Sequence, residues 1–207
     1  EAFDLEGVGL VTNFTPGRFD DVWFCHDSCG GGVSTETFND DDGDPNRVRD
    51  WQAQSGTWDT EGDVLNNRTA GATDILYSDG ETGPTNYRLS ARMLNPYGAR
   101  GNRVGLMFNF DVVSGDYYEV VFATTGQAYL NKFIQGKLTQ VATAAHSAGR
   151  NVWFNVELTR QGPNATVKVN NQIVFENVPA AQLDHIGGRI GVLSHWAPGR
   201  FDDLRFQ

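Results

Sequence analysis

Residues 39–44 read NDDDGD, the densest acidic stretch of the chain. Asp40, Asp42 and Asp44 alternate as oxygen donors to a hard cation do, and calcium takes about six to eight such oxygens. The spacing of a helix-flanked calcium loop is not completed, because the twelfth position, where a bidentate Glu belongs, is Trp51. A second set of side chains suits hydroxyl recognition, which combines a flat aromatic with planar polar groups. Arg88 and Arg92, Arg103 and Asn109, Tyr117 and Glu119, and Lys132 fall on successive strand-like segments, while His195 and Trp196 precede the final one. Trp196 is the stacking candidate; Trp51, Trp58 and Trp153 are expected to pack in or against the core. For any one of these residues a surface or packing role is the simpler reading, and the constellation carries the argument.

Catalytic signatures are missing. No E-x-D-x-x-E run supplies the paired carboxylates of a retaining glycosidase, and neither G-x-S-x-G nor H-E-x-x-H occurs. A lyase needs a Tyr or His base beside a group that neutralises a carboxylate, and Arg88, Arg92, Asn109, Tyr117 and His195 are of those types. No catalytic residue is assigned. Cys25 and Cys29 sit four apart in CHDSCGGG. They read first as a short-loop disulfide of a secreted protein; half of a zinc site with His26 is the alternative.

The elements that must position these groups are strands. The runs 86–94, 103–110, 116–123, 127–134, 137–144, 152–160, 165–170 and 172–177 are separated by Ser-Gly, Thr-Gly, Gln-Gly, Gly-Pro and Asn-Asn turns. Asn170-Asn171 fits a two-residue hairpin loop, since Asn tolerates the left-handed backbone. Alternation sets Val152, Phe154, Val156 and Leu158 on one face, and Val104, Leu106, Phe108 and Phe110 on one face, with Arg103, Gly105, Met107 and Asn109 opposite. Two packed antiparallel sheets would bury the apolar sets and leave a polar, concave face. Residues 179–184 are the one helical candidate, a single turn.

The chain has 207 residues, 24 of them Gly, and a net charge of -10. That charge argues against nucleic acid and anionic membranes, and against an anionic polysaccharide unless cations gather in one cleft. No apolar stretch is long enough to span a bilayer. Residues 8–24, VGLVTNFTPGRFDDVWF, copy residues 190–206, IGVLSHWAPGRFDDLRF, with eight identities in seventeen positions. The expected organisation is closing strands of a preceding repeat at 1–24, a Cys/Gly linker at 25–32 and one domain at 33–207. A hairpin duplicated within one fold is the alternative.

Three segments carry a family resemblance: WQAQSGTWDTEGDVL at 51–65; NRVGLMFNFD, DYYEVVF and QAYLNKFIQGKL in the middle; and GGRIGVLSHWAPGRFDDLRF at the end. In this order they resemble the concanavalin A-like, laminin-G-like jelly roll, across about residues 33–207. Fructan-type carbohydrate-binding modules, 3-keto-disaccharide hydrolase-like domains and laminin-G adhesion domains share the pattern. The resemblance implies an all-β, two-sheet antiparallel jelly-roll sandwich. It also implies a structural calcium joining the first strand to the last, through Glu36 or Asp40 and Asp202 or Asp203. Asp202 alternates with Leu204 and Phe206 and is expected to point inward, where Arg200 or Arg205 is the competing partner. The Gln-Ile-His triplet of jelly-roll lyases is absent. The expectation is a secreted or cell-surface glycan-binding module. A polysaccharide lyase or glycoside hydrolase, and a protein-binding adhesion module pairing through residues 1–24 with a neighbouring repeat or another copy, are the alternatives.

Overall fold

A computed structural model of the chain describes residues 34–36, 38, 51–78, 86–96, 101–179 and 188–206. All belong to the unit Val33–Gln207. The copied segment 8–24, the linker, Cys25, Cys29, Asp40 and residues 180–184 of the expected helical turn lie outside the described residues. Pro179 itself ends a strand.

The described residues form fifteen strands. In chain order the first eight are β1 Ser34–Glu36, β2 Trp51–Ser55, β3 Trp58–Thr60, β4 Leu65–Asn67, β5 Asp74–Ser78, β6 Asn86–Leu94, β7 Arg103–Phe110 and β8 Tyr117–Ala123. The remainder are β9 Gln127–Ile134, β10 Lys137–Ala145, β11 Phe154–Gln161, β12 Asn164–Val169, β13 Gln172–Pro179, β14 Arg189–His195 and β15 Arg200–Phe206. Every pairing is antiparallel. Sheet I has eight strands in the order β13-β12-β11-β6-β15-β4-β3, with β1 also against β15; sheet II has seven, β10-β9-β8-β7-β14-β5-β2. The expected two-sheet sandwich is present, and the Asn170-Asn171 loop joins β12 to β13 with φ of 48° and 65°.

Alternation makes the core. Leu89, Ala91 and Met93 of β6, Val156 and Leu158 of β11, and Phe201 and Leu204 of β15 meet Val104, Leu106, Phe108, Val120, Leu130 and Val192 of sheet II. Burial of such side chains stabilises by about 1.5–3 kcal/mol each. Sheet II is unusual in carrying a second apolar cluster on its other face: Ile75, Tyr77, Met107, Phe110, Tyr117, Val121 and Leu193, with Tyr129 and Phe133 against them.

Two irregularities break the alternation read from the sequence. Asn109 takes φ 52° where β7 and β14 shift register, so Phe110 joins the outer cluster instead of continuing the inner set. Asn109 instead accepts a 2.7 Å hydrogen bond from the Tyr87 hydroxyl of sheet I. In β15 the register shifts between Asp202 and Arg205, and Asp203 has φ 49°. A bulge supplies one extra residue, so Phe201 and Leu204 both face the core while Asp202 lies opposite Arg92. Asp202 therefore points outward, contrary to the alternation argument, and Arg92 rather than Arg200 or Arg205 pairs with it, at 3.2 Å.

Candidate functional site

Three parallel rows of side chains cross the outer face of sheet II. Register places His195 opposite Arg103, Leu193 opposite Gly105 and Gly191 opposite Met107. Continuing across β8 and β9, Gly105 meets Val121 and Tyr129, and Met107 meets Glu119 and Asn131. His195 and Glu119 thus stand on strands two apart, on either side of Gly105. With no side chain at Gly105 they meet across β7, His195 Nε2 lying 3.0 Å from Glu119 Oε2. A Cβ at Gly105 would overlap the Val120 carbonyl oxygen.

This pair is a closed polar unit. Asn131 donates to Glu119 Oε1 at 2.8 Å. His195 Nδ1 lies 3.0 Å from both the Ala72 carbonyl and the Thr73 hydroxyl. His195 is 4% exposed and Glu119 0%, and burial without such partners would be costly. Beneath β14, on the side facing sheet I, Asn67 donates to Asp74 at 3.0 Å and to Ser194 at 2.5 Å. The Thr69 hydroxyl and the Gly71 amide also donate to Asp74. The loop before β5 is thereby fixed to the end of β14, where Trp196 begins.

Trp196 is held from the backbone. Its amide donates to the Gly71 carbonyl at 2.8 Å, and its φ is 58°, a left-handed conformation uncommon for a bulky residue and found at strained functional positions. Its ring remains 52% exposed and lies 5.5 Å from the His195 ring. The Arg103 guanidinium sits 4.3 Å from the Tyr129 ring centroid and 5.4 Å from that of Trp196. Arg103 Nε is buried without a hydrogen-bond partner. An exposed indole, a guanidinium held by two rings and a tyrosine form one shelf above the buried pair.

Arg103, Glu119, His195 and Trp196 are thus brought together, as the sequence reading required, but with different parts. Glu119 and His195 are interior supports, not groups at the rim. Tyr117 is also buried, its ring 5.1 Å from that of Phe133; burial, and then the Glu119 charge, push its hydroxyl well above the ordinary range. Asn109 is turned toward sheet I, and Lys132 stands opposite Tyr118, a core residue, on the inner side of sheet II. Tyr129, Asn131 and Thr73 were not anticipated; strand register reveals the first two, and the loop before β5 brings Thr73 to His195.

Arg88 and Arg92 belong elsewhere, on the outer face of sheet I. Arg88 pairs with Glu157 at 3.6 Å, and Lys168 reaches the same carboxylate at 2.9 Å. Arg92 binds Asp202 and Asp203 and lies 4.9 Å from the Trp153 ring centroid, so Trp153 supports this arginine rather than the core. Around them is a cleft of about 270 Å³ lined by Arg92, Asn155, Glu157, Lys168, Asp203 and Arg205 among others. Its charges largely satisfy one another, as solvated surface pairs do. Among the described residues no three His, Cys, Asp or Glu side chains gather as a metal cage.

No protein-family model matches the sequence. No curated protein matches it either. Solved structures do. Carbohydrate-binding module CBM66 from Bacillus subtilis superposes with a TM-score of 0.65 at 15% identity, over 75% of this chain and 94% of that one. A Bacillus subtilis protein of unknown function with a galectin-like fold gives 0.64 at 14%, over 86% and 96%. The carbohydrate recognition domain of Emp47p gives 0.60 at 12%, over 84% and 93%. At such identities the likeness establishes the fold: a concanavalin A-like jelly-roll sandwich.

Proposed function

We propose that this chain is a non-catalytic carbohydrate-binding module of a larger secreted protein, gripping a glycan on the outer face of sheet II. The observation that carries the reading is Trp196: half-exposed, fixed by its own backbone hydrogen bond, and beside the Arg103 guanidinium, which also lies over Tyr129. A pre-set indole stacks on the apolar face of a sugar at little entropic cost. The carbohydrate-binding and carbohydrate-recognition domains among the similar structures support the same class. Binding is favoured over lyase chemistry because both His195 nitrogens are engaged inside the protein, leaving neither to take a substrate proton. A glycan array probed with the wild type and Trp196→Ala tests this. Binding that disappears in the variant while its melting temperature is kept is expected; a wild type that retains no glycan, or a variant that binds equally well, refutes it.

A structural calcium at the seam of β1 and β15 belongs to the same proposal. It is supported by the pairing of Glu36 with Leu204 in register, and by Asp202 and Asp203 sharing the one Arg92 guanidinium, which leaves negative charge over. Glu36 or Asp40 would complete the donor set. Calcium added to chelator-treated protein is expected to raise Tm by at least about 2 °C; an unchanged Tm together with no heat of titration removes the metal from the proposal.

A further inference from the structure

Arginines on the two outer faces of this sandwich are treated differently. On sheet I, Arg88 faces Glu157, and Arg92 faces Asp202 and Asp203. On sheet II, the Arg103 guanidinium lies 4.3 Å and 5.4 Å from the ring centroids of Tyr129 and Trp196 and has, among the described residues, neither an ion pair nor a hydrogen bond. Arg189, six residues before His195 on β14, lies 5.5 Å from the Tyr77 ring centroid and donates to the Ser78 carbonyl. The one carboxylate among the described strand residues of this face is Glu119, and it is fully buried beneath Asn131 and His195. In a chain of net charge -10, the described strand residues of this face therefore carry two arginines and no exposed carboxylate. Among the described residues, no carboxylate pairs with Arg103.

Resting on the glycan-binding reading, we propose that the ligand is an acidic polysaccharide, one bearing uronic-acid carboxylates, and that Arg103 receives the carboxylate while Trp196 stacks on the sugar ring. A guanidinium presents parallel N–H donors whose spacing matches the two oxygens of a carboxylate. Contact with the Tyr129 and Trp196 rings restricts the guanidinium before the ligand arrives.

The test uses the whole chain and matched probes: oligogalacturonate, oligoalginate and hyaluronan fragments, each beside its carboxyl-reduced neutral form, with neutral gluco-, xylo- and fructo-oligosaccharides. Titration calorimetry is expected to show at least one acidic oligosaccharide binding about tenfold or more tighter than its reduced form, with affinity falling as salt rises. Arg103→Gln should remove that preference, and Arg103→Lys, which keeps charge and loses the fork, should recover only part of it; thermal melts of both variants establish that they fold. Equal binding of acidic and reduced forms, binding confined to neutral sugars, or an acid preference that survives Arg103→Gln overturns the carboxylate assignment and leaves glycan binding standing. A protein that binds none of the acidic or neutral probes overturns the assignment and counts against the glycan reading as well.

Discussion

Glu119 illustrates how a side chain suited to ligand contact becomes part of the scaffold. Its two oxygens take hydrogen bonds from Asn131 and His195 inside a site closed to water. Removing it strands both partners, so Glu119→Ala should lower stability by about 3 kcal/mol, read as a shifted urea midpoint with unchanged slope. A loss below 0.5 kcal/mol would show the pair to be dispensable. His146 gives a separate pH dependence. Burial holds its imidazole below the ordinary 6.5, and the ring is satisfied as the neutral form, Nε2 donating to the Ala123 carbonyl and Nδ1 accepting from the Ala148 amide. The unfolded chain takes this proton first as pH falls. Its contribution to stability is therefore complete above about pH 6.5 and declines as pH falls below it. Urea unfolding at several pH values should show that decline, with a shallower slope in His146→Gln; identical slopes would refute it. Trp196 and Arg103 could be singled out in the sequence because a flat aromatic and a planar polar group are the types that hydroxyl recognition uses. Tyr129 and Asn131 were not, since nothing local distinguishes them from surface residues.

At the level of strands, turn chemistry was the strong signal. The runs 86–94, 103–110 and 127–134 read from the sequence coincide with β6, β7 and β9, because Gly- and Asn-containing separators terminate pairing where they stand. Alternation failed at Asn109 and Asp203, where one left-handed residue reverses the parity of everything after it. Such bulges depend on a partner strand hundreds of atoms away, so a single segment does not display them. Gly105 is the element-scale counterpart of Glu119. A methyl group there would strike the Val120 carbonyl and Val121 and push β7 away from β8. Gly105→Ala should cost about 2 kcal/mol and, on the proposed function, weaken glycan binding by displacing His195 and the attached Trp196. A variant with wild-type stability and affinity would refute that coupling.

Across the whole molecule, the sandwich class was readable from strand count and turn spacing, whereas the division of labour between its two outer faces was not. Arg88 and Arg92 look equivalent to Arg103 in a list of residues, and only sheet order separates them onto opposite sides. The same order bears on how the fold is made. β14 lies between β7 and β5, and β15 lies between β6 and β4, so the last two of the described strands fill interior places in both sheets. While a ribosome is still delivering them, each half-built sheet has an unfilled slot lined with unpaired backbone groups. Sequence-distant closure of this kind is slow, and a nascent chain in this state is a natural client for chaperones.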